Sequence, residues 1–388
     1  METTFQLLDF LLFAWFGFTA FYLFFYAFLS IFYKYKTQKT ITSNAKILVL
    51  IPAYQEDKVI LKTIQAIIDQ DFPKSNFYVM LIADHFDAET INKVEQFPIE
   101  VLNVNFPKST KSIAINYALN LHDKKYDLVA ILDADNIVES NFLSELNSNF
   151  QNGHRAIQGQ RIAKNTNTSF AILDAISEEI NNSIFCKGQQ VLGFTSRLTG
   201  SGMAFEYNLF KTLMSKINAI GGFDKELELL LLQNDASIFY NPNVKIYDEK
   251  VSKSKVLLNQ RSRWISAQLH YMKKFSKVGI IELVKNGNIN LFNKYLQLFL
   301  LPKMLMVIIL IAGISIHKFI LNDQTIAHWL FASLLFVCAY VFVFPKKYLQ
   351  LKLFKMLYII PFTILKMTLK LPKLYTANKQ FIHTPHES

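Results

Sequence analysis

The apolar residues of this chain fall into blocks. From Phe10 to Tyr33 there is no charged residue, and Thr19 and Ser30 are the small polar ones. That run is long enough to cross a hydrocarbon core of about 30 Å at roughly 1.5 Å per residue. A cleaved leader starts basic, runs shorter and ends on small residues. Here Glu2 and Asp9 come first, and Lys34, Lys36 and Lys39 follow. The pattern predicts an uncleaved membrane helix over 1–33, with its N-terminus outside and the next domain on the cytoplasmic side, where basic flanks stay. A second apolar zone lies near the other end. It predicts spans over 295–316, interrupted by Pro302 and Lys303, and over 326–344, set between Asp323 and the pair Lys346 and Lys347. Residues 346–372 carry Lys352, Lys355, Lys366 and Lys370 among apolar positions. They suit either an amphipathic helix in the interface or a third C-terminal span. Residues 269–294 read as a further interfacial segment and 373–388 as a tail, which makes the chain an integral, multi-pass protein of a plasma or inner membrane.

Residues 34–268 are more polar, and their pattern alternates. Apolar runs at 46–51, 77–83 and 128–132, and a strand-like stretch at 99–104, predict strands. Helical spacing follows each, at 57–69, after Glu89, at 109–121 and at 140–150. Strand and helix in alternation predict an α/β domain with a mostly parallel sheet covered on both faces.

Composition narrows the class. Hydrophobic residues make up 51% and charged residues 18%, so a disordered chain is excluded. Cys186 and Cys338 are the only cysteines, so a disulfide scaffold is excluded too. The net charge of +11 suits an anionic membrane surface; with apolar spans on both sides of the domain, nucleic acid is not the expected partner. There is no G-x-x-x-x-G-K, G-x-G-x-x-G or G-x-S-x-G, which removes the usual sequence support for a P-loop, a dinucleotide fold or a hydrolase elbow.

Polar residues cluster just past the predicted strands: Pro52-Ala53-Tyr54-Gln55-Glu56 after the first, Asp84 after the second, Asp133-Ala134-Asp135 after the fourth. In open α/β sheets the ligand crevice lies at those carboxyl ends. Two carboxylates at i and i+2 can face one Mg²⁺ or Mn²⁺ shared with a diphosphate, although Asp is also common in turns. Further on, Gly200-Ser201-Gly202 allows close backbone approach. Gly221-Gly222-Phe223 leads into Asp224, Glu226 and Glu228 at a helix start. Gln260, Arg263 and Trp264 place an amide, a guanidinium and an indole together.

In this order, these segments resemble the inverting family-2 glycosyltransferases. They are closest to the membrane-embedded branch with cellulose, chitin, hyaluronan and poly-N-acetylglucosamine synthases and ceramide glucosyltransferase. The resemblance covers about 46–264, and Q-x-x-R-W at Gln260, Arg263 and Trp264 is its most specific piece. It implies a GT-A fold, a nucleotide-sugar donor (usually a UDP-sugar) and Mg²⁺ or Mn²⁺. It further implies Pro52, Ala53, Tyr54, Glu56, Asp84, Lys111 and Asp133 about the nucleotide. Asp135 with Asp133 would hold the metal. Gly200, Ser201 and Gly202 would border the acceptor, with Gln260, Arg263 and Trp264 over the diphosphate and acceptor end. The family usually has Thr-Glu-Asp before Leu-Glu-Leu; this chain has Asp224-Lys225-Glu226, so register puts Glu226 at the base position. The expected activity is hexosyl transfer to a polysaccharide or oligosaccharide. Single addition to a glycolipid is the alternative, and a non-catalytic membrane or transporter subunit is the competing class.

Overall fold

The computed structural model describes residues 2–35, 43–121, 125–275, 277–321 and 326–349; the expectations for 346–372 fall mostly, and those for 373–388 wholly, outside them. One eight-stranded sheet organises the domain. Its strands are β1 (Ile47–Tyr54), β2 (Phe77–Asp84), β3 (Glu100–Val104), β4 (Leu128–Ile131), β5 (Ile137–Val138), β6 (Ala156–Ala163), β7 (Met203–Glu206) and β8 (Ile238–Asp248). The order across the sheet is β3-β2-β1-β4-β7-β6-β8-β5.

The first four strands are all parallel, as the alternating pattern predicts. The other half adds two reversed strands, β7 and β5, to a sheet that stays mostly parallel. β7 runs antiparallel to both β4 and β6, and β5 antiparallel to β8, while β6 and β8 are parallel. The sheet is mixed. A short apolar run signals burial but carries no direction, so strand polarity in this half is not written in the pattern.

Burial on both faces explains why β1 is apolar at every position through Ile51. Ile47, Val49 and Ile51 pack on one face with Ile60, Ile64 and Ile67 of the helix Ile60–Ile68 and with Phe142 and Leu146. Leu48 and Leu50 point the other way, toward Ile115 and Leu119 of the helix Lys111–Leu121 and Leu227 and Leu231 of the helix Phe223–Gln233.

A third apolar cluster lies outside the sheet. The first helix, Glu2–Ser30, lays Phe16, Ala20, Leu23 and Ala27 against Trp329, Ala332, Phe336 and Ala339 of the helix Ile326–Val343. It also touches the domain directly. At Gly188 an added Cβ would fall 2.2 Å from the Tyr26 carbonyl oxygen, so only glycine permits this approach. Beside it a buried triangle closes: Tyr22 donates to Asn293 Oδ1 (2.9 Å), Asn293 donates to Gln189 Oε1 (2.7 Å), and Gln189 donates to the Tyr22 hydroxyl (3.1 Å).

Two helices, Gln6–Ser30 and Ile326–Val343, are long and apolar enough to cross a membrane by length and composition. The predicted span over 295–316 is instead two helices, Ile289–Phe299 and Lys303–Ile316, divided by an extended stretch at Leu300–Pro302. Proline at 302 has no amide hydrogen and cannot continue a helix interior. The exposed Phe299 carbonyl accepts from Trp15 Nε1 (2.8 Å).

Candidate active site

The carboxyl ends of β1, β2 and β4 meet at one rim. Tyr54 and Asp84 are register partners at the ends of β1 and β2. Both strands then turn sharply through left-handed residues, Gln55 (φ 55°) and His85 (φ 58°). Asp84 is nearly fully buried, and its Oδ1 accepts from the Phe106 amide (3.1 Å) and faces His85 Nδ1 (2.6 Å). The Tyr54 ring meets His85 edge-on at 5.5 Å. This end is suited to a planar base held between a ring and a fixed carboxylate.

The rim opens into a cavity of about 540 Å³, within the range for small-ligand sites. Pro52, Ala53, Tyr54, Glu56, Asp84, Lys111, Asp133, Asp135, Gly200, Gln260, Arg263 and Trp264 all line it. Residues drawn from over 200 positions of sequence thus converge on one space.

At its centre Lys111 Nζ bonds Asp133 Oδ1 and the Gly200 carbonyl (2.6 Å). Burial pushes the Asp133 carboxyl up, but Lys111 and Arg161 outweigh it and hold the group below the ordinary carboxylate value. Asp135 is buried; its Oδ1 accepts from Asn136 Nδ2 (3.1 Å) and its Oδ2 from the Glu249 amide (2.8 Å). Both Asp135 and Asp133 line the cavity, and carboxylate oxygens are the hard ligands that Mg²⁺ and Mn²⁺ take. Among the described residues no group of three or more His, Cys, Asp or Glu could hold a metal. One or two carboxylates completed by substrate phosphates is the ligand pattern of Mg²⁺ and Mn²⁺, and the donor set here fits it.

Gln260, Arg263, Trp264, Ala267 and Gln268 form one stripe of the helix Ser254–Lys274 facing the cavity, at the spacing of a single helical face. Burial lowers the Arg263 guanidinium from its ordinary value; it stays charged at neutral pH. One face of Trp264 is taken by Arg261, 4.5 Å from its ring, which is itself anchored to Asp174 (2.6 Å).

Two expectations change. Gly200 lines the cavity, but Ser201 and Gly202 lie beneath its wall. The Gly202 amide donates to the Ile131 carbonyl (2.8 Å), and an added Cβ would sit 2.5 Å from Ile246 Cδ1. Gly202, just before β7, leaves the space that the Ile246 side chain of β8 occupies. The second change is at the base position. Glu226 does not line the cavity; it is buried, and its Oε1 accepts from Lys274 Nζ (2.5 Å). Asp224 and Glu228 line the cavity instead. Glu228 is engaged by the Leu198 amide and lies 3.7 Å from Lys294. Asp224 is half-buried on the wall. It is the second residue of its helix, whose cap is Gly222, so it is not the N-cap.

Sequence reasoning missed a buried charge cluster behind the two aspartates. Arg161 on β6 bonds Asp248 on β8, and Lys250 bonds both Asp248 (2.8 Å) and Glu178. Burial alone would raise the Glu178 carboxyl, but Arg161 and Lys250 hold it far below its ordinary value. The cluster fixes 248–250, the segment whose Glu249 amide holds Asp135. Its members are single charges scattered through ordinary strand and helix patterns, with no local motif to mark them.

A mixed α/β sheet with a nucleotide-suited rim, paired aspartates and a capping helix is a GT-A arrangement. The family model described as "glycosyltransferase like family 2" matches residues 44–267, and the chain belongs to that family. Among curated proteins it is 22% identical over 255 residues to a probable glycosyltransferase, YdaM, of Bacillus subtilis, covering 62% of this chain and 59% of that protein. It is 25% identical over 220 residues to an uncharacterized glycosyltransferase of Rickettsia bellii, covering 53% and 31%. The chain therefore spans less than two thirds of the length of either relative. Among solved structures, the mannosyltransferase PcManGT of Pyrobaculum calidifontis, in complex with GDP-Man and Mn²⁺, superposes with a TM-score of 0.57. The match has 13% identity and covers 86% of this chain and 98% of that one. At that identity the likeness bears on the fold alone.

Proposed function

We propose that this protein is a membrane-bound inverting glycosyltransferase that moves a hexose from a nucleotide-sugar, a UDP-sugar by its resemblance, onto a saccharide-bearing acceptor. The observation that carries the reading is convergence: strand-end acids, Lys111 and the Gln260–Trp264 helix stripe wall one cavity. A non-catalytic subunit would have no use for that convergence.

In the proposed reaction the acceptor hydroxyl oxygen bonds to the anomeric carbon. The bond from that carbon to the diphosphate oxygen breaks, and the nucleoside diphosphate leaves with the electron pair. The hydroxyl proton passes to Asp224, the half-buried carboxylate on the wall. Tyr54 and Asp84 hold the base, while Lys111 and Arg263 supply positive charge near the diphosphate. Asp135 and Asp133 would hold Mg²⁺ or Mn²⁺, which when bound offsets charge on the leaving diphosphate.

A membrane location is supported by the apolar surface of the two long helices. Phe10, Phe331 and Val341 are each more than 60% exposed, and contiguous apolar surface of this kind marks a lipid or protein contact. With the basic residues that follow the first helix, this favours a cytoplasmic domain. A lipid-borne acceptor is a second reading beside a polysaccharide one, favoured by Leu23, Leu298, Leu300 and Leu301 on the cavity wall. The test incubates membranes containing the full chain with a panel of labelled nucleotide-sugars and sizes the products. One unit in lipid extract supports glycolipid synthesis and a ladder supports a polymer. No incorporation from any donor would refute the enzyme reading.

A further inference from the structure

The cavity is chemically asymmetric along its length. Its nucleotide end is polar. Its other end is walled by Leu23 of the first helix and by Leu298, Leu300, Leu301 and Pro302, where helices Ile289–Phe299 and Lys303–Ile316 meet. Phe185 completes that wall. Two cations stand in this apolar surround, Arg197 and Lys303, both partly buried and both lining the cavity.

Their neighbours do not neutralise them. Lys303 Nζ donates to the amide oxygen of Asn181 (2.5 Å) and lies 5.6 Å from the Tyr340 ring centre. The charged groups that act on it are Arg261 and Arg197, both positive. The Arg197 backbone amide donates to the Phe185 carbonyl (3.1 Å), and its guanidinium feels Glu178 at longer range, an acid already bonded to Lys250 and close to Arg161. Among the described residues no carboxylate lies within ion-pair distance of either cation. Cations in an apolar surround are retained at a considerable cost in free energy unless an anion meets them. Lys303 also opens its helix, the end where the backbone dipole already disfavours positive charge.

Three other cations of the cavity have carboxylate partners; Arg161 bonds Asp248. Lys111 is bonded to Asp133, and Lys294 faces Glu228. Arg197 lies three residues from Gly200, which Lys111 touches. At no more than ~3.6 Å per residue, the Arg197 and Gly200 backbones lie within about 11 Å of each other. The two cations thus share one cavity with Lys111 and the strand-end aspartates.

Taking the transferase reading as its basis, we propose that the acceptor is an anionic amphiphile. Its phosphate is held by Arg197 and Lys303, its chain lies along Leu23 and Leu298–Leu301, and its reacting hydroxyl is on the head group beyond the phosphate. A neutral lipid would leave both cations unmet, and a soluble saccharide would leave the apolar wall unused.

The test uses the purified full chain in neutral detergent and measures binding of three probes: dodecyl phosphate, dodecanol and inorganic phosphate. Binding of nucleoside diphosphate with Mn²⁺ is measured separately on the same samples. Dodecyl phosphate should bind at least tenfold more tightly than either of the others. Arg197→Gln and Lys303→Met should each weaken it roughly tenfold or more, the scale of a lost hydrogen bond to a charged group, with nucleotide affinity kept within a few-fold. Equal binding of dodecanol would overturn the proposal, and so would competition by inorganic phosphate as strong as that of dodecyl phosphate. These wild-type arms decide the matter even if a variant does not fold. Variants that lose the nucleotide rather than dodecyl phosphate would assign the cations to the donor and also overturn it. Failure of the wild type to bind any nucleotide would instead refute the transferase reading, a separate result.

Discussion

Asp224 and Glu226 sit two residues apart on one helix, and their variants should behave oppositely. A general base contributes about 10²–10⁴-fold, which is roughly 3–5.5 kcal/mol of barrier at 1.36 kcal/mol per decade. Asp224→Asn removes the proton acceptor while keeping its size, so turnover should fall by about 10²–10⁴-fold. Its effect on folding is small: a first-turn acid is worth about 0.3–1 kcal/mol with the helix dipole. Glu226→Gln acts away from the cavity. Lys274 is 45% exposed but Glu226 is buried, so the variant weakens a charge-assisted hydrogen bond of roughly 1.5–3 kcal/mol. Gln also still offers an oxygen to Lys274. Its turnover should stay within a few-fold of wild type. The assay follows nucleoside diphosphate release at saturating donor, with donor affinity measured alongside. Donor affinity should survive in both variants, since neither acid is assigned to the nucleotide. An inactive Glu226→Gln beside an active Asp224→Asn would refute the assignment of the base to Asp224.

Four further outcomes follow from the same structure. Asp135→Asn should abolish transfer and remove the dependence of nucleotide affinity on Mn²⁺; wild-type metal dependence in that variant would exclude Asp135 as a ligand. Gly202→Ala should destabilise the fold by about 2–4 kcal/mol, from its positive φ and the 2.5 Å approach to Ile246, and an unchanged melting temperature would contradict this packing. Glu178 has a depressed carboxyl pKa, so its stabilisation is full above the unfolded value near 4.3 and fades as pH falls below it. The stability gap between wild type and Glu178→Gln should therefore hold from pH 7 to about 5 and shrink below about 4; a gap constant across that window would sink the idea. Finally, a single cysteine at the exposed Ser75 should resist an impermeant thiol reagent applied to intact cells, and labelling without lysis would reverse the proposed orientation.

Legibility of the fold followed the physics of each half of the sheet. β1, β2 and β4 were foreseen to within a few residues because they are strongly apolar runs followed by helical spacing, and β3 because its β-branched and apolar residues sit between two helical stretches. β6 was not. Its sequence, Ala-Ile-Gln-Gly-Gln-Arg-Ile-Ala, is half polar because Gln158 and Arg161 bond across the sheet floor. β8 contains a proline and two asparagines and shifts register against β6 after Gly159. A strand that spends its side chains on a buried charge cluster does not look like a strand from composition. The break at Leu300–Pro302 was different, because Pro302 was visible. Its consequence depended on Trp15 and Thr19 supplying hydrogen bonds to the free backbone, and those residues lie about 280 positions away.

The site was legible where function sits at a strand end and illegible where it depends on helix rotation. A residue just past a parallel strand reaches the crevice almost regardless of its rotamer, which is why Tyr54, Asp84, Asp133 and Asp135 all appear on the cavity wall. On a helix, successive residues turn about 100°, so positions 224 and 228 lie within about 40° of one another and 226 points roughly 200° away. The three acids could therefore be sorted from sequence alone into a pair and an odd one out. What the sequence lacked was the direction of the core. Register against a family motif chose Glu226, yet Leu227 and Leu231 turn the helix so that Asp224 and Glu228 face inward to the cavity. The same rotation leaves Glu226 beside Tyr271 and Lys274. A base assigned by alignment thus has to agree with the apolar stripe of its own helix, and here the stripe favours Asp224.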